Sequence, residues 1–255
     1  MTDRDEHPGP KDRDADADAE TAAVGGTETA AVGGTETEDD GEAQQRLTAQ
    51  PIEPSAPEEF GLVQAWWGDG KGKTTAALGM AFRAAGHGYR VHVLQFLKGG
   101  TKSVEDVRGE YNAMELVPGI TYENTGHYGW HGFLDGTADD EHEAKARGAL
   151  ARTRELLESA REATLSQPLP LDGPPDDGMH MLVLDEILYA VDRELLSPED
   201  LLELIDDKPD RLELVCTGSH NRPDYLSEHA ELISQVAKEK HPLEGGYPAR
   251  KGTEF

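Results

Sequence analysis

The chain has 255 residues, with 51 Asp and Glu against 24 Lys and Arg, a formal net charge of −27. That length accommodates one α/β domain with a full core plus a tail, and so acidic a surface argues against nucleic-acid and anionic-membrane partners. The single cysteine, Cys216, excludes an intramolecular disulfide and any Cys-rich metal site, and its apolar surroundings (LELVCTG) read as a small buried residue.

In chain order, residues 1–57 read as a disordered, acidic, low-complexity tail. The first 60 residues hold 17 acidic and 4 basic side chains, and Ala22–Thr29 is repeated as Ala30–Thr37. Apolar residues are too sparse there to offset chain entropy. No segment reaches the ~20 apolar residues of a membrane span, and the start lacks a signal-peptide apolar core, so a soluble, cytoplasmic protein is expected. The acidity also suits a halophilic cytoplasm, where a short Debye length makes self-repulsion tolerable.

Residues 58–255 read as one domain. Strands are expected at Leu62–Trp66, Arg90–Leu97, Ile120–Asn124, Met181–Asp185, Leu212–Thr217 and Leu232–Val236, and helices at Lys73–Ala85, Asp139–Ala163 and Pro198–Asp206, the last capped by Ser197. Gln167–Gly178 reads as a solvated Pro- and Asp-rich loop. Alternating strands and helices predict an α/β fold with a mostly parallel central sheet flanked by helices.

After the first strand stands Gly68-Asp69-Gly70-Lys71-Gly72-Lys73-Thr74-Thr75, running straight into a helix. Strand, Gly-rich turn and helix together are the context of a phosphate-binding loop. The glycines allow successive amides to curl around an anion, the helix start adds positive potential, Lys73 adds a mobile charge, and the Thr74 hydroxyl can ligate Mg²⁺. The usual first glycine is replaced by Trp67, so the loop is one residue short, and Lys71 is an additional charge inside it. Met181–Glu186 (MLVLDE) is an apolar strand ending in two carboxylates, and Asp185 or Glu186 is the expected second metal partner.

From Gly61 to Phe255 the chain resembles the cob(I)alamin / cob(I)yrinic acid a,c-diamide adenosyltransferase family of the RecA-like P-loop type. The blocks that carry the resemblance are Gly68–Gly88 with its shortened loop, Gln95–Gly99 (QFLKG), Leu182–Glu186 (LVLDE), Leu214–Gly218 (LVCTG) and the closing ARKGTEF. The resemblance implies a homodimeric enzyme that binds ATP in reversed orientation. It would move the 5′-deoxyadenosyl group to the Co(I) of a corrinoid and release inorganic triphosphate, with Lys73 and Lys71 stabilising the leaving group and Thr74 and Glu186 on Mg²⁺. It also implies aromatic residues that shield cobalt, which fall on Tyr128 and Trp130, with His127 an apparent insertion between the matched positions. The imidazoles of His127 and His131 could ligate cobalt or face solvent. A reduced flavin or an electron-transfer flavoprotein is the implied reductant. The family's Arg after Thr-Gly is here Ser219, with Arg222 three residues on.

Two other readings share these motifs. A P-loop ATPase or kinase would release ADP, and a non-catalytic module would bind nucleotide and deliver a corrinoid. Asn221-Arg222-Pro223-Asp224 has a superficial likeness to a guanine-reading motif, but Arg stands where that motif carries Lys.

Overall fold

The computed structural model describes residues 48–97, 109–125, 139–248 and 250–253. The expected sites at His127, Tyr128, Trp130 and His131, and most of the acidic tail, lie outside these residues. From Ala49 onward the chain forms one unit.

Its centre is a six-stranded sheet in the order β3-β2-β4-β5-β1-β6, with every strand pair parallel. In sequence the elements are β1 (Val63–Trp67), α1 (Lys73–Gly86), β2 (Val91–Gln95), α2 (Gly109–Glu115), β3 (Ile120–Asn124), α3 (Asp139–Glu162), β4 (Met181–Asp185), α4 (Ile187–Asp192), α5 (Pro198–Asp206), β5 (Glu213–Thr217) and β6 (Leu232–Gln235). β3, β4 and α5 coincide with the spans expected from sequence. β2 stops two residues early, because Phe96 N–H donates to the Asp185 carbonyl and Leu97 turns left-handed at φ 58°. α2 and α4, too short to show a helical period, were not expected.

Strands β2, β4 and β5 are buried along their whole length, as parallel strands covered on both faces must be. Alternate residues serve two apolar layers. Val91, Val93, Met181, Val183 and Val215 pack with Ala77, Ala81, Ala84 and Ala85 of α1, whose small side chains let the helix lie close to the sheet. Leu94, Leu182, Leu184, Leu214 and Cys216 pack on the opposite side with Ala149, Leu156 and Leu157 of α3 and Leu201 and Leu204 of α5. Cys216 is fully buried, and burial raises its thiol to about 12, so it is a packing residue.

Helix α5 begins with the expected cap: Asp200 N–H donates to Ser197 Oγ at 3.1 Å, and Ser197 N–H donates to Asp200 Oδ2 at 2.8 Å, with Pro198 in the first turn. Three arginines at seven-residue intervals on α3 hold α5. Arg147 reaches Asp200 at 2.9 Å, Arg154 reaches Glu203 at 3.2 Å, and Arg161 donates to the Asp207 carbonyl at 2.7 Å.

Two findings revise the sequence expectations. The last residues assigned to the tail are ordered against the domain: Ser55 N–H donates to the Gly88 carbonyl at 2.9 Å, and Pro57 is buried. A Cβ at Gly88 would lie 1.8 Å from the Glu53 carbonyl oxygen, so glycine is required where this segment passes. The loop Gln167–Gly178 is anchored as well as solvated, because the buried Arg90 guanidinium donates to the carbonyls of Gly173 at 2.7 Å and Pro174 at 2.5 Å.

Beside β3, Arg152 donates to Glu123 at 2.8 Å and to Asp176 at 2.7 Å, which holds both carboxyls below their ordinary range. His92 lies in the same cluster, its Nε2 3.7 Å from Glu123 Oε1. Burial outweighs that carboxylate and pulls the imidazole down to about 4.

Two outcomes are expected. A chain starting at Ala49 keeps the thermal midpoint of the full chain, whereas one starting at Glu58 melts several degrees lower, having lost a buried proline and the Ser55 hydrogen bond; equal melting of both by calorimetry would return residues 49–57 to the tail. The folded state binds fewer protons at His92 than the unfolded state between pH 4 and about 6.5, so stability falls as pH drops through that window, by roughly 3 kcal/mol at its lower end. His92→Leu removes this part of the acid slope, which melting curves from pH 4 to 7 will record.

Candidate active site

The carboxyl ends of the four central strands face one edge of the sheet, where parallel α/β folds bind ligands. Each of these strands is followed closely by a residue of positive φ: Gly68 (123°) after β1, Leu97 (58°) after β2, Glu186 (66°) after β4 and Ser219 (61°) after β5. Three of the four are not glycine. Left-handed backbone at such residues costs of order 1–2 kcal/mol each and is kept where the surroundings enforce it.

The phosphate-loop residues Gly68, Asp69, Gly70, Lys71, Gly72, Lys73, Thr74 and Thr75 leave β1 and enter α1 at Lys73, with Gly72 as N-cap at φ 120°. The helix has no side-chain cap and no acidic residue in its first turn, so its first-turn amides present positive potential outward. The Lys73 ammonium folds back to donate to the carbonyls of Gly68 at 2.6 Å and Gly70 at 3.0 Å. It therefore lies across the loop it was expected to serve.

Gly68 and Gly70 use their amides differently from the expectation. Gly68 N–H donates to the Ser219 carbonyl at 3.0 Å and Gly70 N–H to the Val236 carbonyl at 2.8 Å. Val236 N–H in turn donates to the Trp67 carbonyl at 2.7 Å, and Lys238 N–H donates to Asp69 Oδ1 at 3.0 Å. That last bond is the main reason the Asp69 carboxyl is held below its usual range. The chain following β6 thus forms a strap along the loop. A Cβ at Gly68 would lie 2.3 Å from the Val236 carbonyl oxygen and one at Gly70 2.7 Å from it, so these two glycines answer to the strap.

Asp185, at the end of β4, is fully buried and accepts three hydrogen bonds from described residues. Thr74 Oγ1 donates to its Oδ1 at 2.9 Å, Thr217 Oγ1 donates to the same oxygen at 2.6 Å, and Gln95 Nε2 donates to Oδ2 at 3.0 Å. Thr217 Oγ1 also accepts the Glu186 N–H at 3.0 Å, which fixes Glu186 in its left-handed conformation at the start of α4. The Glu186 carboxylate lies against Gly218, where a Cβ would stand 3.1 Å from Oε2 and 2.6 Å from Tyr189 N. Thr74 and Asp185 meet here and Glu186 follows directly in sequence, and the oxygen donors of all three are of the kind a hard divalent cation takes.

Both Asp185 oxygens accept protein donors, one of them Thr74, so Asp185 can act by orienting Thr74. Arg222 pairs with Asp224 at 3.0 Å on the surface, and its side chain is 62 % exposed. The loop around it is held from the other direction: Asp192 accepts from Asn221 Nδ2 at 2.6 Å and from His220 N–H at 3.2 Å. Sequence reasoning quoted Gln95 and Thr217 within the blocks of the resemblance and noted Ser219 after Thr-Gly, but gave none of them a contact, and it missed the strap at 236–238. A polar residue closing a buried apolar strand was the available signal for Gln95 and Thr217; the strap leaves no such mark.

With this geometry in place, the comparisons are informative. Residues 59–255 match the family described as ATP:corrinoid adenosyltransferase BtuR/CobO/CobP. The chain is 30% identical over 200 residues to the corrinoid adenosyltransferase of Escherichia coli (strain K12), covering 78% of this chain and 88% of that one. The figures are the same for the corrinoid adenosyltransferase CobA of Salmonella typhimurium. For the corrinoid adenosyltransferase of Pseudomonas aeruginosa they are 31% over 201 residues, 78% and 86%. The shortened loop, the carboxylate-ended strand and the Thr-Gly turn all lie within the matched region, and this chain belongs to the ATP:corrinoid adenosyltransferase family.

Proposed function

We propose that this protein transfers the 5′-deoxyadenosyl group of ATP to the Co(I) of a corrinoid (cob(I)yrinic acid a,c-diamide, cobinamide or cobalamin) and releases inorganic triphosphate. The observation that carries the reading is the short phosphate loop ending in Lys73-Thr74, with Thr74 bonded to Asp185, in a chain of the adenosyltransferase family. In the reaction the Co(I) electron pair forms the cobalt–carbon bond at C5′, while the C5′–O bond breaks and its electrons leave on the triphosphate. No proton need move in that step, so the protein's work is alignment and stabilisation of charge on the leaving group.

Lys73 and Lys71 supply charge to the triphosphate, and the first-turn amides of α1 supply hydrogen bonds. The pinned amides of Gly68 and Gly70 support a cradle that receives the phosphates near the helix start, in keeping with a reversed nucleotide. Mg²⁺ would be held by Thr74 and Glu186, with Asp185 orienting Thr74, and bound there it would offset charge on the phosphate oxygens. Among the described residues no group of three or more His, Cys, Asp or Glu side chains is arranged to hold a metal ion. An ion held by Thr74 and Glu186 would take its remaining ligands from elsewhere, and phosphate oxygens of the nucleotide suit a hard cation. Tyr128 and Trp130, with His127 between the matched positions, are proposed to shield the lower face of cobalt. A homodimer, a reduced flavin or flavoprotein as electron donor, and a working environment of high ionic strength complete the proposal. No helix among the described residues is long and apolar enough to cross a membrane.

The decisive assay is anaerobic, at high KCl, with ATP, Mg²⁺ and chemically reduced cobalamin, following loss of the Co(I) absorbance and identifying the phosphate product. Adenosylcobalamin with triphosphate is expected; ADP without a cobalt–carbon bond would make the protein an ATPase. Lys73→Ala lowers kcat by about 10²–10³-fold with the fold retained, through loss of charge at the leaving group, and unchanged kinetics would contradict its role. Trp130→Ala slows turnover from Co(II) more than turnover from preformed Co(I). Equal losses in the two assays would leave Trp130 a structural residue.

A further inference from the structure

Gln95 closes β2 and is fully buried. The strand register sets it beside Asp185 of β4 on one side and Asn124 of β3 on the other. Its side-chain nitrogen donates to Asp185 Oδ2 at 3.0 Å and stands 3.5 Å from Glu110 Oε1 on α2. Its backbone carbonyl accepts twice from Thr125, from the amide at 3.1 Å and from Oγ1 at 3.2 Å. Thr125 follows β3 and stands two residues before His127, which with Tyr128 and Trp130 is assigned by resemblance to the corrinoid side. The amide oxygen of Gln95 is buried without a hydrogen-bond partner among the described residues. The orientation of the side chain is therefore set by its NH₂ group, since a flipped amide would turn its oxygen toward the Asp185 carboxylate.

The choice of residue type is informative. Leu here would leave Asp185 Oδ2 without this donor in a dry site, which is destabilising. Glu would bring a second carboxylate onto Asp185, and Lys would cancel the charge that Asp185 directs toward Thr74. Gln satisfies the oxygen while adding no charge. Thr74 and Thr217, the other two donors, are neutral as well.

We infer that Gln95 is a positioning residue of the adenosyl transfer: as a neutral donor it sets the Asp185 carboxylate that orients Thr74, while its carbonyl ties Thr125 to the same point. The nucleotide side of the site and the end of β3 are thereby tied to one residue. Gln95 touches no substrate and acts through Asp185. The inference rests on the proposed function for what the site binds, and its test has a readout that does not depend on turnover.

The test is a double-mutant cycle on the full chain, combining Gln95→Leu with Asp185→Ala and measuring Mg²⁺–ATP dissociation constants by calorimetry alongside kcat/KM. Gln95→Met, which keeps the length of the side chain, and Asp185→Asn serve as the second set, and melting curves report folding of each variant. Gln95→Leu is expected to weaken Mg²⁺–ATP binding and lower kcat/KM each by about tenfold in the native background, and by less than about threefold once Asp185 is Ala. Full, multiplicative losses in both backgrounds would overturn the inference and make Gln95 a packing residue, as would native values in Gln95→Leu and Gln95→Met. Failure of the unaltered protein to bind ATP would instead overturn the functional reading.

Discussion

A single buried carboxylate organises the reactive edge of this protein. Asp185 draws Thr74 from the start of α1, Gln95 from the end of β2 and Thr217 from the end of β5 onto its two oxygens. A carboxylate out of water must be hydrogen-bonded, and here the donors come from three different elements. Satisfying it therefore aligns β2, β4, β5 and α1 at one point. Thr217, once aligned, accepts the Glu186 amide and holds that residue in a conformation it would not adopt unaided. Strain at Leu97, Glu186 and Ser219 gathers at the same edge, where this network can maintain it.

The phosphate loop is shaped from outside as much as by its own sequence. The strap after β6 takes the Gly70 amide and the Asp69 carboxylate, and the β5–β6 connection takes the Gly68 amide. Close backbone approach explains why residues 68 and 70 are glycines, since a Cβ at either would strike the Val236 carbonyl. A loop one residue short and tied along one side has little freedom to follow its ligand. Positive potential gathers at the helix start, where macrodipole, Lys73 and Thr74 converge.

In a chain of net charge −27, the few basic residues near the sheet are used with economy. Arg152 serves both Glu123 and Asp176, fastening α3 to β3 and to the 170s turn. Arg147, Arg154 and Arg161 fasten the same helix to α5. Pairs as exposed as these contribute modestly when isolated. Their regular spacing sets the register between two helices that share an apolar layer, and that packing supports the strand ends from behind.

Much of this was legible in the sequence, where chemistry and period are local. The parallel α/β architecture follows from the alternation of buried strands with helices, the α5 cap from Ser197, Pro198 and Asp200, and the phosphate loop from glycines and Lys-Thr between a strand and a helix. The family resemblance rested on the phosphate-loop block together with Gln95–Gly99, Leu182–Glu186, Leu214–Gly218 and the closing ARKGTEF. What only the tertiary structure decided is which groups meet. Gln95, Thr74, Asp185 and Thr217 are up to 143 residues apart and share one hydrogen-bond network because parallel register brings strand ends together. The strap's hold on Asp69 and Gly70 likewise comes from a segment more than 160 residues downstream, and residues 49–57 are tied in through the Gly88 carbonyl. Hydrogen bonds between distant backbone groups leave no trace in composition or spacing, since every residue carries the same amide and carbonyl.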